Sequence, residues 1–402
     1  MLFCCLGEAL ELTVGRAVGD VKIGLIGSGF MGQAHADAFR RAALLYPKLP
    51  ARPVLEMLAD RDEPTAAAAA ARFGFARSTG DWQKLVTDPE VDIVDITSPN
   101  NFHHRMALAA LKAGKHVYCE KPLAVTVAEA EEMAAAAKAS GAKTMVAFNN
   151  VKTPAAMFAK KLIEEGAIGT PIRFRGWFDQ GFYSDPDLPW SWRTSRSEAG
   201  SGALGDLGSH TISVAQYLMG DFDSVIAAEQ TFFHERPMPG AGEGYSAKAS
   251  AKAERRKVEN EDQIQALVRF RSGAAGLIEA SRVAVGKVLG IQWEVSGSEG
   301  TIINDGERFN ELKVARLSDP KPDRGFKTLL VGSQIPQFRA FLPFDYGGGG
   351  LGYFDIKVIE VHDLITGVFG TGCFPDFAFG LHNTRVVDAM IRSARSRQWT
   401  KV

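Results

Sequence analysis

Between residues 21 and 149, short apolar runs alternate with longer stretches of helical composition. VKIGLIG (21–27) has the length and β-branched content of a buried strand, and the segment from Phe30 to Tyr46 reads as the helix that follows it. PVLEMLAD (53–60), VDIVDIT (91–97), KHVYCE (115–120) and AKTMVAF (142–148) repeat the strand pattern. Between them EPTAAAAAARFG (63–74), residues 101–113 and residues 126–140 read as helices, with Gly74, Gly114 and Gly141 placed as stops. Strands that are apolar throughout, without alternation, are covered on both faces. Their regular exchange with helices predicts a doubly wound parallel sheet.

Beyond residue 149 the texture changes. A helix at about 154–165 leads into PIRFRGWFDQ, whose alternation is that of a strand with one solvated face. SVIAAEQTFF, DQIQALVRFRS, AAGLIEASRVA and IQWEVSGSEGTII follow with turns but no helices between them. Such a series predicts a second, α+β domain built on a largely antiparallel, open-faced sheet. The polar stretch 234–261 has too little apolar content for a core element and is expected to be a mobile loop.

Composition narrows the function. The chain has 402 residues, 46 Lys+Arg against 47 Asp+Glu and a net charge of −1. A near-neutral protein has no global field for a phosphate backbone or an anionic membrane, so no nucleic-acid or membrane partner is expected. Cys4, Cys5, Cys119 and Cys373 fit neither a disulfide framework nor a zinc site, and no other His/Cys/Asp grouping suggests a metal. No apolar run reaches the roughly 18 residues of a membrane span. Residues 1–20 lack a basic n-region and read as an extension, not an export signal. A reduced, cytoplasmic protein is the expectation.

The first strand ends in Gly27-Ser28-Gly29-Phe30-Met31-Gly32, a G-x-G-x-x-G turn that opens a helix. In that setting the first glycine makes the tight turn, the second admits a pyrophosphate and the third lets helix and strand approach. The helix N-terminus supplies free N–H donors to the phosphate. A dinucleotide-binding Rossmann domain over 21–148 is therefore expected, with 149–402 as the substrate-binding and oligomerisation domain. Asp60 closes the second strand, where a carboxylate accepts from ribose hydroxyls. It comes 33 residues after Gly27, against the usual ~20, and the Pro47- and Pro50-containing loop accounts for the excess. Asp60 favours NAD; the adjacent Arg61 keeps NADP as the alternative.

Ligands of such a sheet bind beyond the C-terminal strand ends. Two of these ends carry polar motifs, Thr97-Ser98-Pro99-Asn100-Asn101-Phe102-His103 and Glu120-Lys121-Pro122. A third motif, Gly205-Asp206-Leu207-Gly208-Ser209-His210, puts Asp206 and His210 four residues apart, on one face of a helix. Taken singly, Lys121 reads as a solvated lysine, Asp206 as a helix cap and His210 as a core histidine. In this order and spacing, together with the glycine turn and the closing segment from Asp376-Phe377 to Trp399, the motifs resemble the glucose–fructose oxidoreductase/inositol dehydrogenase (Gfo/Idh/MocA) family over about 21–402.

The resemblance implies an NAD(P)-dependent dehydrogenase of a sugar or cyclitol, working as a homodimer or homotetramer, with Lys121, Asp206 and His210 catalytic. His210 would act as general base on a substrate hydroxyl, since the ordinary pKa of imidazole, ~6.5, lies near neutrality. Lys121 would stabilise the developing alkoxide or relay its proton. Asp206 would hold a neighbouring hydroxyl or raise the basicity of His210. Hydride would pass from the carbinol carbon to nicotinamide. Ser98, Pro99, Asn100, His103, Glu120 and Lys121 would border the nicotinamide–ribose end, although His103 and His104 also read as plain helix-start residues. Asn150, Trp192, Arg193 and His382 are further candidates for substrate contact, and Arg193 leaves an acidic sugar open. The Pro343–Tyr353 segment reads as an arm bordering the site or a neighbouring subunit. Two rivals remain at this point: a glycosidase working by transient oxidation on tightly held NAD, and a non-enzymatic nucleotide-sensing regulator, which would not need the three polar residues.

Overall fold

The computed structural model describes residues 19–240, 253–342 and 347–402. Six strands, β1 (Asp20–Ile26), β2 (Arg52–Ala59), β3 (Arg77–Thr79), β4 (Ile93–Ile96), β5 (His116–Cys119) and β6 (Thr144–Val146), form the first sheet. They pair in the order β3-β2-β1-β4-β5-β6, and every pair is parallel. The chain order reverses between β1 and β4, which opens a crevice at the C-terminal ends of those strands. The connecting helices are α1 (Phe30–Leu45), α2 (Glu63–Phe73), α3 (Trp82–Thr87), α4 (Asn100–Lys112) and α5 (Val127–Ser140). Thr126 and Glu129 close a reciprocal capping box at the start of α5.

Neither β3 nor α3 stands out in the sequence. Arg77-Ser78-Thr79 is three polar residues at a sheet edge, and α3 is only six residues long, so neither has room for a period. Their identities as elements come from pairing: Met57, Leu58 and Ala59 of β2 face Arg77, Ser78 and Thr79.

The second sheet comprises β7 (Pro171–Asp179), β8 (Phe222–Gln230), β11 (Gln263–Phe270), β12 (Ala275–Ser281), β13 (Ile291–Gly297), β14 (Gly300–Asp305), β15 (Glu311–Arg316), β16 (Lys327–Leu330) and β17 (Thr400–Lys401), with β9 (Glu235–Pro237) and β10 (Arg255–Lys257) paired apart from it. All its pairs are antiparallel except β12 with β7. One face is covered by α6 (Pro154–Glu164), α8 (Ser209–Met219) and α10 (Phe377–Ser396), whose Leu162, Ile212 and Val386 share a core with Phe174, Val268 and Trp293 of the strands. Among the described residues the other face stays open; Leu267 on it is 52% exposed. The strict in–out alternation of β11 records that asymmetry.

One finding corrects a sequence expectation, and a second adds to the domain picture. The stretch 234–261 is not one loop: β9 and β10 pair across it, and Arg236, Asn260 and Glu261 are fully buried. Charge–carbonyl and carboxylate–amide bonds replace the missing apolar contacts there. Residues 241–252 lie outside the described residues, as do 1–18 and 343–346 of the Pro343–Tyr353 arm. The remainder of that arm is pinned, because Asn310 exchanges two 3.1 Å hydrogen bonds with the Leu351 backbone. Second, the chain after residue 354 returns to the first sheet: α9 (Asp355–Val368) places Val358, Val361, Leu364 and Ile365 in one core with Val21, Ile23 and Phe39. Among the described residues no helix is long and apolar enough to cross a membrane.

Candidate active site

The glycine turn has the geometry its motif requires. Gly27 has φ +103°, and a Cβ on Gly32 would lie 2.1 Å from the Gly27 carbonyl oxygen. Gly29 is different: nothing lies within 4 Å of where its Cβ would be. Internal packing does not require glycine there, and the open space fits the close approach of a pyrophosphate to the N-terminus of α1. Ser28 donates to Asp60 Oδ2 from its backbone N at 2.8 Å and its Oγ at 2.6 Å, and the Arg61 N–H donates to Oδ1 at 2.7 Å. Asp60 is thereby held at the mouth of the glycine turn, as a ribose acceptor must be. Phe30 is exposed at the start of α1, its ring edge-on to Phe354.

At the ends of β4 and β5, the loops carrying Ser98-Pro99-Asn100 and Glu120-Lys121-Pro122 meet. His103 is the brace between them. It is fully buried, its ring nitrogens each 2.9 Å from a carbonyl oxygen, those of Pro122 and Ser98. The ring is thus turned into the protein, where burial keeps it neutral and it donates to one of the two carbonyls. Asn100 donates to the Ala199 carbonyl at 3.2 Å, linking the first loop to α7 (Arg196–Ala199).

Lys121, joined to Pro122 by a cis peptide, reaches across to the second part of the chain. Its Nζ donates to the Asp206 carbonyl at 2.7 Å and to Asp206 Oδ1 at 3.1 Å. Arg193 Nε stands 3.9 Å from Asp206 Oδ2, and its guanidinium lies over the Trp192 ring at 4.4 Å. Burial disfavours the Asp206 charge, but Lys121 and Arg193 outweigh it and hold the carboxyl at about 2. Asp206 does not lie on a regular α-helix. It sits in a π-helical turn, Leu204–Gly208, that runs into α8. His210 follows, 5% exposed, with its Nδ1 buried and without a hydrogen-bond partner among the described residues. Burial first, then the Lys121 charge, push this imidazole well below its ordinary value, so it is neutral.

Trp192, Arg193 and Asp206 line one cleft together with Asn100 and Arg282. Asn150 lines another, a cavity of about 150 Å³ shared with Asn304, Phe309 and Tyr353. The two have no lining residue in common, and the smaller cleft, which holds Arg193, Asp206 and Arg282, is the candidate site. The structure does not bring Asn150 into that cleft. His382 is corrected outright: its Nε2 accepts from the Phe222 N–H at 3.0 Å, beyond the far end of α8 from His210. It is held there because α10 packs on β8.

Several residues that position the site escape the sequence motifs. Glu261 is the strongest. Its Oε1 accepts from the Gly202 and Leu204 N–H groups at 2.7 and 2.9 Å, anchoring the turn that presents Asp206. Nothing in VENEDQ marks it, since acidic residues in a polar run normally face solvent. Behind Lys121 lie His35, Asp95, Lys357 and Glu360, all buried. A signal existed for these: Lys357 and Glu360, three residues apart, interrupt the apolar run of DIKVIEVHDLI, and Asp95 interrupts VDIVDI. No group of three or more possible metal ligands occurs among the described residues.

The chain is similar to known proteins along most of its length. The family described as "Oxidoreductase family, NAD-binding Rossmann fold" matches residues 21–148, and "GFO/IDH/MocA C-terminal domain" matches 157–303. A levoglucosan dehydrogenase of Pseudarthrobacter phenanthrenivorans is 41% identical over 385 residues, 95% of this chain and 98% of that one. The crystal structure of an NAD binding oxidoreductase from Klebsiella pneumoniae superposes with a TM-score of 0.90 at 60% identity, covering 95% of this chain and 99% of that one. Levoglucosan dehydrogenase in complex with NADH and levoglucosan superposes with a TM-score of 0.89 at 41% identity, again over 95% and 99%. With a glycine turn open to a pyrophosphate, a carboxylate at the end of β2 and these matches along its length, the chain belongs to the GFO/IDH/MocA family of NAD-binding oxidoreductases.

Proposed function

We propose that this protein oxidises a secondary hydroxyl of an uncharged cyclic sugar of levoglucosan's kind, with Lys121, Asp206 and His210 as its catalytic residues and Trp192 and Arg193 in substrate binding. The observation that carries the reading is the meeting of Lys121 and Asp206 at the β5 end beside a neutral, buried His210. Bound NAD supplies the acceptor for the hydride released by the carbinol carbon. His210, neutral, is free to take the hydroxyl proton. The Lys121 ammonium favours the developing alkoxide and makes a cationic His210 costly, so the ring gives the proton up to bulk water and returns to its neutral form. Asp206, ionised, accepts from a neighbouring hydroxyl and orients the sugar. Trp192 offers an apolar face to the ring, and Arg193 donates to its hydroxyls. Gly27–Gly32, Asp60 and Arg61 are assigned to the dinucleotide, with Ser98, Pro99, Asn100 and Glu120 at its nicotinamide end.

We further propose residues 21–148 and 149–402 as the cofactor and substrate domains, and self-association through the open sheet face that carries Leu267. Cys119 and Cys373 are free thiols, which supports a reducing compartment.

The test is NADH formation from NAD with levoglucosan, other pyranoses, inositols and sugar acids. Turnover of levoglucosan or a close cyclic sugar is the expected result. Turnover confined to acidic sugars, or aglycone release without net NADH, would sink the substrate assignment. Lys121→Ala should lower kcat about 10²- to 10³-fold while NADH binding, followed by fluorescence, is retained. Full activity in that variant would remove Lys121 from the chemistry.

A further inference from the structure

The catalytic Lys121 is backed by a buried cluster of ionisable groups that, Glu120 apart, the chemistry above does not use. Lys357, from α9, is 1% exposed. Its Nζ donates to Glu120 Oε1 at 2.9 Å and lies 2.9 Å from Glu360 Oε2. Glu120 is the neighbour of Lys121, and the two oxygens of its carboxylate serve different partners. Oε1 takes Lys357 and His35 Nε2, the latter at 3.0 Å; Oε2 accepts the backbone N–H of Lys121 at 3.1 Å. The far side of the His35 ring meets both oxygens of Asp95 at 3.0 Å, and the ring is stacked on Tyr118 at 4.7 Å. Tyr118 in turn donates to Glu360 at 3.0 Å.

An apolar core of the same volume would be easier to build than three carboxyls and two cations taken out of water. The cluster sits where α1, β4, β5 and α9 converge, directly beneath the residue that touches Asp206. From the pattern of contacts we propose that Lys357 is a positioning residue for catalysis: it holds the Glu120 carboxylate in place, and Glu120 through the Lys121 N–H fixes the backbone from which the catalytic side chain extends. The inference rests on the dehydrogenase reading of Lys121 and adds a residue from the C-terminal part of the chain, far from every motif.

The electrostatics agree. Burial alone would protonate Glu120, but the Lys357 charge and the His35 contact hold it well below the ordinary carboxyl range. Burial also lowers His35, yet Asp95 and Glu120 raise it to about 9. Without the Lys357 ammonium, Glu120 keeps one cation against the burial cost and the neighbouring Asp95 and Glu360 charges. It then becomes a carboxyl that protonates in an accessible range, since buried glutamates reach pKa values of about 8–9. Other groups feel the Glu120 charge: His103 on α4, His210 on α8, Cys119 on β5 and Tyr353 before α9, with the Lys121 ammonium itself nearby. Lys357 also acts on His35, Asp95, His210, Tyr353 and Glu360, so its removal shifts those groups as well, and it is the loss of the acid limb on adding Glu120→Gln that assigns the limb to Glu120.

The experiment compares wild type, Lys357→Met, Lys357→Arg, Glu120→Gln and the Lys357→Met/Glu120→Gln pair in NAD reduction with whichever polyol wild type oxidises, from about pH 6 to about pH 9. Wild-type turnover in the same series checks the dehydrogenase reading itself, so its failure and the failure of the Lys357 inference are told apart. Lys357→Met should lower kcat about 10- to 100-fold at neutral pH, with the KM for NAD and polyol little changed. The loss should grow as pH falls and recover as Glu120 ionises at high pH. Lys357→Arg keeps the charge and should keep a flat profile. The double variant has no Glu120 carboxyl to titrate and should lose the acid limb, Asp95 and Glu360 being kept in both variants. Wild-type kcat in Lys357→Met, a loss that is the same at every pH, or an acid limb that survives in the double variant would each overturn the inference. Should Lys357→Met fail to fold, Glu120→Gln decides alone: a reduced, pH-independent kcat supports the positioning role, and a wild-type kcat ends it.

Discussion

At the scale of single residues, the site separates its charges by environment. Asp206 is held at about 2 and stays ionised, while His210 is held well below 6.5 and stays neutral. Both are folded-state depressions, so the required forms, carboxylate and free imidazole, are present above each pKa and lost as pH falls through it. The oxidative kcat/KM should therefore show no loss from His210 until well below pH 6.5. A pH–rate profile with an acid limb near 6.5 that disappears in His210→Gln would contradict this. Asp60 is the other residue with one job. It is fixed by Ser28 and the Arg61 amide at the edge of the glycine turn. Asp60→Ala should weaken NAD by about 10- to 150-fold, one lost hydrogen bond to a charged group being worth about 1.5–3 kcal/mol, and weaken NADP less. Equal changes in the two dissociation constants would mean that Asp60 does not read the ribose.

At the scale of elements, the pieces most easily dismissed hold the substrate side together. The β9–β10 pair clamps the segment that leads to Trp192 and Arg193. The Arg236 guanidinium donates to the carbonyls of Asp185, Tyr183 and Leu188, while the Trp190 N–H groups donate to Pro237 and Lys257. Asn260 then donates to the Arg193 carbonyl at 3.0 Å. Releasing the clamp should blur the substrate cleft without reaching the glycine turn. Arg236→Met is expected to raise the KM for the polyol about tenfold, the scale of one lost charge-assisted contact, with NADH affinity unchanged. An unaltered KM, or parallel loss of NADH binding, would show that the clamp does not act on the cleft. Most of the regular elements were legible in advance, because buried parallel strands are apolar runs and helices end at glycines. The β9–β10 pair was not: its stability comes from Arg236, Asn260 and Glu261 meeting distant backbone groups, and no local pattern encodes a distant carbonyl.

For the whole molecule, the two sheets are joined by more than one crossing. The chain passes from β6 into the second sheet, then returns through α9, which covers the first sheet and carries Lys357 to the base of Lys121. Cofactor and catalytic groups therefore share a support, and filling the cofactor site should stabilise the protein as one body. At a hundredfold excess over its dissociation constant, NADH should add about 2.7 kcal/mol and raise Tm by a few degrees in a thermal melt. NADPH at the same concentration should add less. A larger shift with NADPH would reverse the cofactor preference.

The sequence by itself determined the doubly wound sheet, the open antiparallel sheet, the glycine turn with Asp60, and the candidate set Lys121, Asp206 and His210. The sheets and the turn are written in local spacing, where burial on two faces or a tight turn dictates residue type. The candidate set is what the family resemblance of the motifs implies. Only the tertiary structure decided which of the polar candidates meet. It joined Lys121 to Asp206 across 85 residues, turned His103 inward as a brace, and left His382 beyond the far end of α8. It also turned Glu261 from a solvated acid into the anchor of the Asp206 turn, and brought Lys357 to Glu120. The physical reason is common to all of these. A buried charge is tolerated only where partners from other elements surround it, and those partners exist only once the chain has folded.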